Sequence, residues 1–365
     1  MKKLKALYAQ LKAQNLTPLW CVEQDILPLK PTPASIPWLW KWETMNSLIS
    51  AAGSLVQLES GGDRRALGLS NPGLHGKPYA TETLWMALQW LNGYEVAPPH
   101  RHVSQASRFI IQSEGSYSTV EGNRIFLERG DFVLNPPMLW HDHGSINDKH
   151  AIWLDALDIP LTNYLNANFF ESHHSDKQEV TKKLNASVLK YGNGNYRPLW
   201  EDPIQNYPPV SVYKWTDTLK ALNGLKEADE ASLFDDLALE YVNSFNGNSV
   251  MQTFSACIQM IRPNIHTNAH RHVSSSVYYV FEGSGYSVID GVRFDWSQGD
   301  FFVIPTWAYH EHHNTSEDKN ALLFSINDAP LMHALNKYRE EAYAENDGHQ
   351  VVCSTFNGTF NSSRK

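Results

Sequence analysis

The chain has 365 residues, 42% of them apolar and 12% aromatic, which is too long for one hydrophobic core and too apolar for a disordered chain, so two folded domains are expected. A formal charge of −9 with no local cluster of Lys or Arg leaves no electrostatic footprint for nucleic acid. Cys21, Cys257 and Cys353 are odd in number and far apart, which argues against a disulfide framework or a cysteine metal site, and no window nears the ~18 uninterrupted apolar residues of a membrane span, so a cytoplasmic protein without nucleic-acid or membrane partners is expected.

At the start, Leu4, Leu7, Tyr8 and Leu11 recur at helical spacing while Lys or Gln interrupts every apolar run, which reads as an amphipathic helix and not as a targeting signal. Residues 1–75 form a helical arm whose Trp38, Trp40 and Trp42 are too apolar for a free tail and are expected to pack on a barrel or on a neighbouring subunit. Residues 76–165 and 246–345 carry short stretches such as Arg108-Phe109-Ile110-Ile111 and Val277-Tyr278-Tyr279-Val280-Phe281, β-branched and aromatic and bounded by Gly, Asn, Asp or Pro, which predicts strands. Residues 166–245 read as a connector with helices, its His173 and His174 in a solvated loop, and residues 346–365 as a loosely held tail.

The two strand-rich regions are copies of one another. His100-Arg101-His102-Val103-Ser104 recurs as His270-Arg271-His272-Val273-Ser274, and Gly130-Asp131-Phe132-Val133 recurs as Gly299-Asp300-Phe301-Phe302. The offset falls from 170 to 169, and the lost residue is expected near the turns that hold Gly122 and Gly291. Many short antiparallel strands repeated twice predict an all-β fold with minor helices, two tandem jelly-roll barrels of the kind that includes the cupins.

Within a strand, alternate side chains share a face, so His100 and His102 can offer two imidazoles to one side, and His141, after the Gly130-to-Pro136 strand and turn, can return to the same interior. Three neutral imidazoles suit a transition metal better than calcium or magnesium. His270, His272 and His310 repeat the set and mark a second metal site. Arg108 stands six residues after His102 and shares the ligand face if the strand is unbroken, where its guanidinium could fork onto a carboxylate. His143, two after His141, can face the same pocket as a proton-handling group, with an alternative reading as a ligand; Trp85 and Gln89 are candidates to line it from an adjoining strand. His266 and His313 read as structural or surface groups.

The histidine pair, the glycine turn and the Gly-Asp-x-x-x-x-Pro-x-x-x-x-His run resemble the two cupin motifs, except that Ala106 and Ser107 stand where a cupin usually has its glutamate ligand. Together with Leu39-Trp40-Lys41-Trp42, Asn71-Pro72-Gly73-Leu74, Trp140-His141-Asp142-His143-Gly144 and Trp153-Leu154-Asp155-Ala156-Leu157-Asp158-Ile159-Pro160, this all-histidine pattern is similar to the gentisate 1,2-dioxygenase family of bicupins, with salicylate and 1-hydroxy-2-naphthoate dioxygenases. The resemblance implies one Fe(II) in the first barrel, a small aromatic 2-hydroxy acid chelating it through carboxylate and hydroxyl, O2 as co-substrate, and ring opening between the carbons bearing those groups, which turns gentisate into maleylpyruvate. It also implies catalytic or substrate-binding roles for Asp155 and for Arg64 (or its neighbour Arg65), and a homotetramer. In the second copy Tyr278 replaces Arg108 and, by the 169 offset, Phe324 replaces Asp155, so the second site is expected to bind metal and turn over little or no substrate. Rival readings are a salicylate or 1-hydroxy-2-naphthoate dioxygenase, a manganese, nickel or zinc cupin of oxidase or isomerase type, and a non-catalytic bicupin that binds an aromatic acid.

Overall fold

The computed structural model describes residues 1–57, 65–202 and 207–359 and divides into two compact units, Met1–Ala34 and Ser35–Lys365. In the first unit the expected helix spans Lys2–Ala13, and the Trp20 indole donates to the Tyr8 hydroxyl at 3.2 Å. No residue of that helix is buried.

The second unit holds four antiparallel-rich sheets that pair into two barrels, as the alternating patterns predict. The first barrel joins a sheet ordered Val212–Tyr213, Phe132–Asn135, Ala106–Gln112, Ala151–Leu157, Trp85–Leu91, Arg65–Gly68 to one ordered Phe170–Ser172, Val96–His102, His141–Ser145, Ser116–Val120, Asn123–Phe126. The second barrel repeats this plan, from Trp38–Trp40 beside Phe301–Ile304 in one sheet to Glu340–Ala342 beside His270–His272 in the other. Period-2 alternation sorts each strand's residues between two environments. On Ala106–Gln112, Ile110 points into its own barrel, while Phe109 points out and stacks on Phe324 of the second barrel with ring centroids 4.1 Å apart. One apolar core, including Phe109, Phe132, Leu154, Phe281 and Phe324, therefore fuses the two barrels face to face.

The arm and the connector exchange barrels. Trp38–Trp40 pairs with Phe301–Ile304 of the second barrel, and Val212–Tyr213 pairs with Phe132–Asn135 of the first. The Gly-Asp of each copy receives the incoming chain. Asp300 accepts from the Trp42 amide and pairs with Lys41; Asp131 accepts from the Trp215 amide and pairs with Lys214 at 2.5 Å. Trp215 covers Gly130 and Trp42 covers Gly299 so closely that an added Cβ would sit 2.6 Å and 2.3 Å from an indole carbon. A second reciprocal latch crosses the barrel interface: Thr253 Oγ1 donates to Asp158 at 2.8 Å, and Thr83 Oγ1 donates to Asp328 at 2.5 Å.

Three local expectations are corrected. Val120 pairs with Asn123 and Ile289 with Val292, so the copies are already in 169 register before the Gly122 and Gly291 turns. The residue is lost one turn earlier, where Ser113-Glu114-Gly115 separates Gln112 from Ser116 in the first copy and only Gly283-Ser284 separates the equivalent Glu282 from Gly285 in the second. Arg108 lies opposite Asp155 and Tyr278 opposite Ser325, so the counterpart of Asp155 is Ser325; Phe324, on the other face, belongs to the inter-barrel core. A slip of one residue along a strand moves a side chain to the opposite face. Finally, the tail is held as far as Phe356: Ser354–Thr355 adds a parallel strand to Val292–Ser297, and Phe356 packs on Trp38 and Phe294.

Candidate active site

His100 and His102 come from strand Val96–His102 and His141 from strand His141–Ser145, with His100 directly opposite His141. The register shifts between Ala97 and His100, a bulge occupied by Pro98-Pro99, which lets Ala97, His100 and His102 all line the same cavity. One ligand atom from each of the three imidazoles lies within 4.8 Å of the others. Each ring is fixed by a backbone carbonyl at Nδ1: Pro98 for His100 at 2.9 Å, Ser104 for His102 at 2.8 Å, Leu139 for His141 at 2.9 Å. Assigning the proton to Nδ1 leaves the lone pair on every Nε2, the arrangement that metal-ligating histidines need. Burial, and then the neighbouring His100 and His102, holds the His141 imidazole well below its ordinary value, so it is neutral. The donor set fits a transition metal with positions left over for substrate.

The cavity around the triad has a volume of about 370 Å³. Arg108, His143, Asp155, Trp85 and Gln89 all border it. Arg108 does so by a different route from the one the spacing suggested. The chain turns between His102 and Ala106, so the two residues lie on different sheets, which face each other across the barrel. Its Nε donates to Asp155 Oδ1 at 2.6 Å, and the Trp153 indole donates to Asp155 Oδ2 at 3.1 Å. The guanidinium lies over the Trp153 ring at 4.9 Å, and its buried Nη1 has no hydrogen-bond partner among the described residues. Asp155 thus aims a planar fork whose outer N–H groups remain for an anion.

Arg65 is committed elsewhere. Its side chain is 1% exposed and makes a two-pronged ion pair with Glu95, at 2.6 Å and 2.5 Å. Arg64 lies outside the described residues. Sequence reasoning missed Asn135 and Phe170. Asn135 is buried at the cavity wall with an Oδ1 that has no hydrogen-bond partner among the described residues, and the signal for it was its place in the Gly-Asp-x-x-x-Asn-Pro run. Phe170 comes from the connector, whose strand pairs with Val96–His102 and stacks the phenyl on His100 at 5.5 Å. Nothing local in the sequence marks it.

The second barrel gathers His270, His272 and His310 within the same 4.8 Å, beside a cavity of about 420 Å³. Burial, then His270, pushes the His272 imidazole down to about 4, and burial holds His310 well below its ordinary value. The walls differ. Tyr278 and Ser325 stand where the first barrel has Arg108 and Asp155, and Glu340, opposite His272, takes the place that Phe170 has opposite His102. Asp235 and Glu240 border this cavity too, and no Lys or Arg does among the described residues.

Two fused jelly-roll barrels, each closing three imidazoles around one point, define a bicupin with an all-histidine centre in place of the usual carboxylate ligand. The cupin domain family matches residues 89–157 and 257–327. The chain is 37% identical over 360 residues to 5-aminosalicylate 1,2-dioxygenase of Comamonas sp, covering 98% of this chain and 95% of that one. It is 34% identical to gentisate 1,2-dioxygenase of Streptomyces sp, covering 93% and 95%. Its fold superposes on the crystal structure of salicylate 1,2-dioxygenase from Pseudoaminobacter salicylatoxidans in adduct with gentisate with a TM-score of 0.88 at 33% identity, covering 93% and 94%. The chain belongs to the bicupin family of gentisate, salicylate and 1-hydroxy-2-naphthoate 1,2-dioxygenases, enzymes that cleave an aromatic ring. Among the described residues no helix is long and apolar enough to cross a membrane.

Proposed function

We propose that this enzyme is a cytoplasmic gentisate 1,2-dioxygenase, working with one Fe(II) held by His100, His102 and His141 and converting gentisate and O2 to maleylpyruvate with both oxygen atoms retained. A single observation carries the reading: the buried guanidinium of Arg108, whose Nη1 has no hydrogen-bond partner among the described residues, borders the same cavity as the three imidazoles. Iron bound there supplies the redox chemistry that couples O2 to the ring of a chelated hydroxy acid.

The chain's own residues do the rest. Arg108, oriented by Asp155, takes the substrate carboxylate and fixes the plane of the ring, with Arg64 as a second cation from the resemblance. His143 sits two residues beyond a ligand on the same strand and handles the proton of the substrate hydroxyl. Trp85 packs on the ring while Gln89 and Asn135 hydrogen-bond the hydroxyl on its far edge, which is the group that separates gentisate from salicylate. The same cavity could accept 5-aminosalicylate, the substrate named for the Comamonas relative, because an amine replaces a hydroxyl at one position. The second triad is proposed to hold metal without turnover, and the functional particle to be a homotetramer.

An oxygen electrode gives the test. Gentisate should consume one O2 per molecule, with maleylpyruvate absorbance rising in step, and both should stop on removal of iron and return on adding Fe(II). Faster turnover of salicylate, 5-aminosalicylate or 1-hydroxy-2-naphthoate would reassign the substrate. Gentisate binding without oxygen uptake in the iron-loaded protein would leave only the non-catalytic reading.

A further inference from the structure

A third cluster of metal-binding groups lies on the outside of the second barrel. His310 faces the barrel interior, so the next residue on the strand, Glu311, faces out. Its side chain is nevertheless only 1% exposed, because His266 and His349 cover it. His266 Nε2 lies 3.3 Å from Glu311 Oε1, and His349 Nδ1 lies 3.8 Å from Glu311 Oε2. Neither ring nitrogen is aligned for a hydrogen bond to the carboxylate. Both are buried atoms that have no hydrogen-bond partner among the described residues.

Three chain segments converge here, and each has backbone anchors of its own. His266 is bridged to His313 by the backbone, and the neighbouring Thr267 exchanges two hydrogen bonds with His312, at 2.9 Å and 3.0 Å. His349 follows a left-handed turn, Asn346-Asp347-Gly348, whose Gly348 carbonyl accepts from Ala269 at 2.7 Å. Gln350 donates its amide to both Glu311 oxygens at 3.3 Å and 3.1 Å and its side chain to Val288 at 2.9 Å. Donors positioned by separate backbone anchors are preorganised for a common guest.

The first barrel has the same scaffold without the donors. Asp142 accepts from the Gln178 amide and Gln178 donates to Thr119, as Glu311 and Gln350 do with Val288. Val96 opposite Gly144 stands where His266 opposes His313, and Lys177 stands where the second copy has His349. Two imidazoles around a buried carboxylate are thus an addition specific to the second copy, outside both barrel interiors.

We propose that His266, Glu311 and His349 form a binding site for a divalent transition-metal ion of borderline softness, such as zinc, that pins the C-terminal segment to the second barrel. Two imidazoles and a carboxylate are the donor types such ions prefer, and the ion supplies the positive charge that a buried carboxylate requires. The ligand atoms span no more than 4.8 Å, and both rings are only half-buried.

The test uses the whole, metal-stripped protein and zinc alone as probe, titrated against a competing chromophoric chelator. His349→Ala should bind about one zinc per chain fewer than the native sequence, as expected when one of three ligands is lost. Glu311→Gln, which keeps an acceptor for the Gln350 amide, should lose the same equivalent. In the native protein zinc should slow proteolytic cleavage after Ala342, and in both variants it should not. Iron content and ring-cleaving rate of His349→Ala should stay within about twofold, since sites that share no partner act additively. Equal zinc stoichiometry in all three proteins overturns the proposal, as does loss of zinc in His349→Ala with retention in Glu311→Gln, which would mean that His349 binds the ion without the carboxylate.

Discussion

The two barrels share a backbone plan, a histidine triad and a mutual core, yet their cavities have opposite electrostatic character. The first presents Arg108 with its aligning Asp155 and a phenyl ring from Phe170; the second presents Tyr278, Ser325 and Glu340 at the equivalent places. A guanidinium in the wall favours a bound carboxylate, whereas Glu340, Asp235 and Glu240 repel one. The imidazoles are thus common to both copies, while the charged and aromatic side chains around them differ.

The largest effect expected is the one that separates the triads. His102→Ala should remove first-barrel iron and bring oxygen uptake to background, whereas His272→Ala should leave the rate within about twofold because the two triads share no partner. Iron analysis and an oxygen electrode read both. If His272→Ala abolished turnover with first-site iron intact, the division of labour would be wrong.

Arg108→Met comes next. Breaking the buried Arg108–Asp155 ion pair should cost about 3–5 kcal/mol of stability in a urea titration, and losing a charge-assisted bond to the substrate carboxylate should lower kcat/KM about 10- to 100-fold. Arg108→Lys should restore more of the stability than of the kcat/KM, since an ammonium cannot fork. Equal rescue of both would separate Arg108 from substrate binding.

Phe170→Glu installs in the first barrel the carboxylate that the second has as Glu340. Repulsion of about 1–2 kcal/mol at the effective dielectric of a half-open site should raise KM roughly tenfold with a smaller change in kcat. A KM that did not depend on ionic strength in this variant would remove the electrostatic explanation of the comparison.

The last effect, on stability and not on turnover, concerns the latches. Burial, outweighing hydrogen bonds from Thr83 and Ser275, pushes the Asp328 carboxyl up from 3.8 to about 6. A folded value above the unfolded one means the contribution is full below the unfolded value and is lost as pH rises through the folded value. Asp328 should therefore cost up to about 3 kcal/mol between pH 4 and pH 7, and Asp328→Asn should flatten that slope in urea unfolding at the two ends. Its counterpart Asp158 is raised by burial as well, so Asp158→Asn should act with the same sign.

The duplicated pattern, the histidine triads and the missing glutamate were legible because period-2 alternation and short-range motif spacing act within one strand or one turn. His100, His102 and His141 group together in the sequence for that reason. Counting residues across a break was less secure. It led to Arg108 through a strand that does not exist, and it assigned Phe324 instead of Ser325 because a loop between the strands changes length unseen.

By itself, then, the sequence determined the class of fold, the donor set and the copy number, all of them properties of local pattern. Only the tertiary structure decided which arm clasps which barrel, that Arg65 is spent on Glu95 while Arg108 pairs with Asp155 at the cavity wall, that Phe170 from the connector covers His100, and that His266 and His349 meet over Glu311. Each of these joins residues far apart in the chain. Such contacts follow from how whole sheets twist and pack, and no spacing along a strand encodes them.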